Sequence, residues 1–133
     1  MSRRFRRLIP EAPSRDRLTA IGEQYQRVIL EPKRVRMARL TIAEATSFPD
    51  LARRYFESGP SYACGRLSDF LATATERGEL KIQDAPLAAS QFLGLLKGVD
   101  HLGALLGIDS AEGEPQRKRR LAAAIDTFLK LYG

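Results

Sequence analysis

The residue types that carry most protein chemistry are scarce in this sequence. His101 is the only histidine and Cys64 the only cysteine among 133 residues. A structural zinc site of His and Cys needs four such ligands, and a nucleophile–His–acid triad could use only His101. Asp100 adjoins His101, and adjacent residues on a helix do not face each other. The sequence predicts no catalytic site, no metal and no cofactor, so we expect a protein that is not an enzyme.

His101 and Cys64 are most simply residues of the packed structure, with a polar contact from His101 to a bound ligand as the alternative. A single cysteine excludes an internal disulfide bond and gives no sign of an oxidising compartment. No uncharged run approaches the length of about 20 residues that a membrane-spanning helix needs. We therefore expect a soluble, cytoplasmic protein.

The positive charge of the chain is concentrated at its N-terminal end. Residues 1–39 hold 11 Lys and Arg against 4 acidic residues, whereas residues 40–133 hold 11 against 12. The opening stretch MSRRFRRLIPEAP contains four arginines, Arg3, Arg4, Arg6 and Arg7. We interpret residues 1–14 as a basic, disordered tail and residues 15–133 as the folded domain. The alternative is a small basic protein that binds nucleic acid without sequence specificity through this tail.

Glycine and proline divide the rest of the chain into about six segments, each with helical periodicity. The first is predicted to begin with Ser14 as its N-cap and to bury Leu18, Ile21, Tyr25 and Val28. The second is predicted to bury Val35, Ala38, Ile42 and Ala45. No segment alternates with period two for longer than the three residues Leu80–Ile82, so the sequence predicts an all-α fold.

The stretch EATSFPDLARRYFESGP, residues 44–60, contains a very short helix. Ser47 and Asp50 have the spacing of an approximate capping box, and Pro49 fits the first helical turn. Gly59 and Pro60 end this helix after about nine residues and start the next one. A helix so short is marginal alone, so we expect a corner that is held by packing between longer helices.

The last two segments carry more apolar surface than a single helix face needs. The fifth begins after the N-cap Asp84, runs to Gly107 and is apolar on several sides; the sixth, from Pro115 to Tyr132, is amphipathic. A helix that is apolar on several sides lies at the centre of its own domain or is shared between two chains. We expect two chains to form a four-helix bundle through these segments, with an interface of Leu95, Gly98, Leu102, Leu105, Leu121, Ile125, Phe128 and Tyr132.

Three stretches together resemble the C-terminal domain of TetR/AcrR-family transcriptional regulators, particularly the AefR-like group. They are RLTIAEATSFPDLARRYFESGP (residues 39–60), LAASQFLGLLKG (87–98) and AAAIDTFLKLYG (122–133). Their order and spacing match, and the likeness covers about residues 15–133. It implies a bundle of about six helices, a homodimer formed through the last two, and the sensing of an effector.

The resemblance also implies an internal cavity for a small apolar effector, with the short helix as part of its wall. The bulky residues that could line such a cavity are Phe48, Tyr55, Phe56, Phe70, Phe92 and His101, although core packing explains most of them equally well. The family carries an N-terminal helix-turn-helix domain that nothing in this sequence matches. The sequence does not decide whether the chain is a fragment, a mis-started product or a regulator without a DNA-reading domain.

Overall fold

The computed structural model of the chain describes residues 12–108 and 113–133, which form six helices. These are α1 (Ala12–Leu30), α2 (Pro32–Glu44), α3 (Pro49–Ser58), α4 (Pro60–Glu76), α5 (Ala85–Leu105) and α6 (Glu114–Tyr132). The described residues contain no strand, and the predicted all-α fold is confirmed. The four arginines of the predicted basic tail, and with them the nucleic-acid alternative, lie outside the described residues.

A single hydrophobic core lies between α1, α4, α5 and α6. Its fully buried side chains include Phe92 of α5 and Phe128 of α6, whose ring centroids are 5.1 Å apart in an edge-to-face arrangement. Such aromatic pairs stabilise a core by about 0.5–1.5 kcal/mol beyond the area that they bury. The core is completed by Leu18, Leu67, Leu71, Ala74, Leu80, Ile82, Ala88, Ala89, Leu96, Leu121, Ala124 and Ile125.

Helices α1 and α6 are antiparallel and contact each other along their lengths. Arg15 near the start of α1 forms a 3.0 Å ion pair with Asp126 in the second half of α6. The other end of α1 lies beside the start of α6. At Gly22, a Cβ atom would overlap a methyl group of Leu121, so a larger residue would require this side chain to move.

The loop between α4 and α5 closes one end of the bundle. Its backbone at Lys81 donates a 2.6 Å hydrogen bond to the carbonyl of Tyr132, at the end of α6. Ser14 lies inside α1 and is fully buried, and its hydroxyl donates to a carboxylate oxygen of Glu79 at 2.6 Å. The prediction that Ser14 is an N-cap is therefore wrong, because its hydroxyl bonds the loop and not the first turn of its own helix.

Helices α2 and α3 lie at the edge of the bundle, where two predictions of local structure fail. Helix α2 buries Thr41, whose hydroxyl donates to the carbonyl of Met37, and leaves Ile42 63% exposed. Helix α3 spans ten residues and buries none of them, and no side chain caps its first turn, so Ser47 is not a cap. The predicted corner is confirmed, because α3 joins α2 to α4 and contacts both.

Helix α5 begins as predicted but is not continuous. The side chain of Asp84 accepts a 3.1 Å hydrogen bond from the backbone N–H of Leu87, which confirms the predicted N-cap. At Gly98, however, the backbone has φ 57° and ψ −165°, which kinks the helix. A residue with a side chain rarely adopts this conformation. All four buried residues of α5, Ala88, Ala89, Phe92 and Leu96, lie in the half before this kink.

Candidate functional site

The six residues predicted to line an effector cavity differ widely in burial. Phe92 is buried in the core against Phe128. Phe48 and Phe56, at opposite ends of α3, are more than half exposed. Tyr55 is half-buried on the same helix. Their role as effector contacts remains a proposal.

Phe70 and His101, the other two of this set, are both half-buried. Phe70 packs against the core, and the guanidinium of Arg17 on α1 lies 5.8 Å from the centre of its ring. His101 lies in the second half of α5. Burial lowers the pKa of His101 below its ordinary value of 6.5, and the positive charge of Lys97 lowers it further. Its imidazole is consequently neutral near pH 7 and can accept a hydrogen bond as well as donate one.

The eight residues predicted to form a dimer interface divide into two groups. Leu121, Ile125 and Phe128 are buried in the core of their own chain, so their side chains offer no area to a partner. The other five reach the surface at least in part, and they are Leu95, Gly98, Leu102, Leu105 and Tyr132. The Tyr132 hydroxyl donates to the Gln91 side-chain oxygen of α5 at 2.5 Å.

An exposed apolar stripe runs along α5 on the side away from the core. After the kink at Gly98, Val99, Leu102 and Leu106 follow one another at intervals of three and four residues, which places them on one helix face. Leu95 is the exposed apolar residue of the stripe that lies before the kink. Val99 is 80% exposed, and the other three are between 38% and 66% exposed. Exposed apolar residues that form a continuous stripe are typical of a surface that another protein covers.

The clearest cavity among the described residues is an open cleft between α1 and α6. Its volume is about 390 Å³, and it lies between the second half of α1 and the start of α6. It is lined by Glu23, Gln26, Arg27, Leu30, Glu31, Pro32, Glu114, Arg117, Lys118 and Leu121. None of the six predicted effector residues lies among them.

The sequence contains a signal for this cleft, although a search for apolar stripes overlooks it. The most deeply buried positions of α1 are Ser14, Leu18, Gly22 and Gln26, each four residues from the next. Only one of them is a large apolar residue. A spacing of four that includes a glycine and a polar amide indicates a helix face that another helix approaches closely, with a polar group enclosed at one end.

Neither a metal site nor a membrane-spanning helix is found in the described parts of the chain. Among residues 12–108 and 113–133, no three His, Cys, Asp or Glu side chains come together as metal ligands do. In the same ranges, no helix is both long and apolar enough to cross a membrane.

The sequence matches a known family over almost its whole length. The family is described as the C-terminal domain of AefR-like transcriptional repressors, and the match covers residues 16–133. The chain belongs to this family. Because members of the family are transcriptional regulators, the domain is part of a regulator and not an enzyme.

Solved structures of TetR-type regulators share this fold. A 1.54 Å crystal structure of a Mesorhizobium loti protein assigned to the TetR family has a TM-score of 0.77 and 21% identity, over 93% of this chain and 70% of that one. The flavonoid-responsive regulator FrrA has a TM-score of 0.70 and 26% identity, over 99% and 80%. A TetR-family regulator from Pseudomonas syringae pv. tomato has a TM-score of 0.71 and 20% identity, over 89% and 59%. No curated protein matches the sequence.

Proposed function

We propose that this chain is the effector-sensing and dimerising domain of a TetR-like transcriptional regulator, acting in the cytoplasm. The observation that carries the proposal is the combination of family membership over residues 16–133 with an unpartnered apolar stripe on α5. If two copies of the chain covered each other's stripe, the two domains would be held in a fixed relative orientation. A small effector that alters the bundle would then change the geometry of the pair.

The dimer that we propose uses the exposed side of α5 and the outer side of α6. Leu95 and Leu102 stay in the interface predicted from the sequence, and Val99 joins them. Leu131 of α6 is also exposed, and it is the apolar residue that α6 would offer to a partner. A two-fold axis beside these residues would place α5 and α6 of both chains in one bundle.

Light scattering tests this dimer through the molar mass of the wild-type chain and of Leu102→Glu. We expect a dimer for the wild type and a monomer for the variant, because each interface would bury an unpaired carboxylate beside apolar side chains. Ile42→Glu is the matched control, since Ile42 is a similarly exposed apolar residue on α2. A monomeric wild type, or an equal effect of both variants, would contradict the proposed interface.

The effector that we propose is a small, largely apolar molecule of the aromatic class. The name of FrrA supports this class, since that regulator is flavonoid-responsive and 26% identical to this chain over 99% of its length. The site that we propose lies beside Phe70, because this ring both packs on the core and reaches the surface. The core is closed behind it at Phe92, so entry of an effector requires α4 to move relative to α5.

Thermal unfolding in the presence of a flavonol and a flavone tests the effector site. A ligand that binds only the folded chain raises the midpoint by mass action. We expect Phe70→Leu to reduce this increase, whereas Phe56→Leu, which changes an exposed ring on α3, should leave it unchanged. No increase with any aromatic ligand would contradict the sensing half of the proposal and leave the dimer untouched.

A further inference from the structure

We propose that the cleft between α1 and α6 is a second ligand site, which takes a small amphoteric molecule. By this we mean a molecule with an ammonium group and a carboxylate on a short apolar body. The site goes beyond the proposed function, because its lining differs in chemistry and in position from the apolar effector site beside Phe70. The inference stands on the shape of the cleft, on one buried side chain and on the balance of charges at its rim.

The shape of the cleft follows from the packing of two antiparallel helices. They touch at Gly22 and Leu121, and from there α1 continues to Leu30 while α6 begins at Glu114. The corner between α1 and α2 closes the third side at Pro32. A volume of about 390 Å³ is at the lower end of the range for ligand sites, about 300–1,000 Å³. The cleft therefore suits a small molecule.

Gln26 provides a polar group at the base of the cleft. It is only 5% exposed, and its side-chain nitrogen donates a 3.3 Å hydrogen bond to the backbone carbonyl of Arg117. This bond fixes the orientation of the amide, because the opposite orientation would place two oxygen atoms against each other. No described residue donates to the side-chain oxygen of Gln26. A ligand that carries an N–H or O–H group would satisfy this acceptor.

The charges around the cleft favour a ligand that carries both signs. Three cations and three carboxylates line it, Arg27, Arg117, Lys118, Glu23, Glu31 and Glu114. A simple anion would meet the three carboxylates, and a simple cation would meet the three basic groups. An uncharged hydrocarbon would displace water from all six charged side chains without replacing the hydrogen bonds that the water makes. A zwitterion can face both kinds of group, while its apolar body contacts Leu30, Pro32 and Leu121.

Isothermal titration calorimetry with three matched probes tests this assignment. The probes are L-phenylalanine, 3-phenylpropanoate, which lacks the ammonium group, and 2-phenylethylamine, which lacks the carboxylate. We expect L-phenylalanine to bind at least about tenfold more tightly than either of the others, because only it can pair with both signs of charge. Equal binding of the acid or the amine would overturn the assignment, and so would the absence of binding by all three.

Two variants locate the binding of L-phenylalanine in the cleft. Gln26→Met keeps the approximate volume of the side chain and removes both the acceptor and the hydrogen bond to the Arg117 carbonyl, and we expect a loss of affinity of about tenfold. Lys118→Met removes an exposed cation at the rim. It leaves the core unchanged, so we expect the variant to fold normally and to report on binding alone. Lys130→Met, at the other end of α6, is the control. Unchanged affinity in both Gln26→Met and Lys118→Met would overturn the site, whatever the flavonoid and molar-mass measurements show.

Discussion

Gly22 sets the distance between α1 and α6, and replacing it tests how closely they are packed. A Cβ atom at this position would overlap a methyl group of Leu121 and would contact two methyl groups of Leu96 at 3.5 Å. Alanine favours a helix over glycine by about 1 kcal/mol, whereas overpacking a core costs about 1–3 kcal/mol. We expect Gly22→Ala to lower the free energy of unfolding by about 1 kcal/mol, measured by urea denaturation.

Gly65→Ala is the control for this prediction. Gly65 lies inside α4, and a Cβ atom there would meet nothing within 4 Å. Only the helix propensity changes, so we expect the free energy of unfolding to rise by about 0.5–1 kcal/mol. Stabilisation by both variants would show that Leu121 rotates away into the cleft without cost.

His101 predicts how stability changes with pH. Burial, assisted by Lys97, lowers the pKa of His101 below 6.5 in the folded chain. The unfolded chain therefore binds a proton first as the pH falls below 6.5, and stability is lost in that range. We expect the urea midpoint to fall further between about pH 7.5 and about pH 5.5 in the wild type than in His101→Gln. The two proteins differ only in this imidazole, so equal falls would contradict a half-buried, neutral His101.

At the scale of the element, the end of α5 depends on an arginine from another helix. The Nε atom of Arg39 donates to the carbonyl of Leu105 at 2.8 Å, and its Nη2 atom donates to the carbonyl of Ala104 at 3.0 Å. These carbonyls belong to the last turn of α5, and that of Ala104 also accepts from the backbone N–H of Gly107 at 3.1 Å. A cation at this end also interacts favourably with the helix dipole.

Removing this contact should loosen the last turn of α5 and little else. We expect Arg39→Ala to increase the hydrogen exchange of the Leu106, Gly107 and Ile108 amides, which bond back to α5, by about tenfold. Exchange in the core helices should stay unchanged. Arg36→Ala, on the same helix, is the control. Faster exchange throughout the chain would instead mean that Arg39 supports the whole fold.

The sequence predicts the helices of this fold better than it predicts the contacts between them. Local rules of capping and periodicity predict the N-cap at Asp84, the corner at residues 49–58 and the six helices. The kink at Gly98 does not, because it depends on long-range packing. Arg120 of α6 forms an ion pair with Asp100, and its side chain lies beside Gly98. In the sequence, Gly98 is one more small residue in an apolar run.

The candidate sites were harder to predict for the same reason. A bulky residue at a helical position gives the same sequence pattern whether it fills a core, as Phe92 does, or lies on the surface, as Phe56 does. Helical spacing assigns residues to a face but not to the neighbour that covers it. Thus Phe128 has the same pattern as an interface residue and is buried in its own chain. The cleft has Gln26 at its base, and a pattern of apolar residues does not include this polar residue.

At the scale of the whole molecule, residues 12–108 and 113–133 form one core within the chain, and the α5 stripe is exposed on their surface. The buried side chains come from α1, α4, α5, α6 and the loop between α4 and α5. We therefore expect each chain to fold by itself, with the proposed association adding stability to a folded monomer. Core packing and association would therefore stabilise the fold through different residues, so their contributions can be measured separately.

Unfolding measured over a range of protein concentrations distinguishes these contributions. For the wild type we expect the thermal midpoint to rise with concentration, since a partner that binds only the folded chain stabilises it by mass action. Leu102→Glu should remove this dependence and keep the midpoint of the dilute wild type. Phe128→Ala should lower the free energy of unfolding by about 3–5 kcal/mol at every concentration, because its ring fills the core against Phe92. A midpoint of the wild type that does not change with concentration would mean that the stripe on α5 is not covered by a second copy.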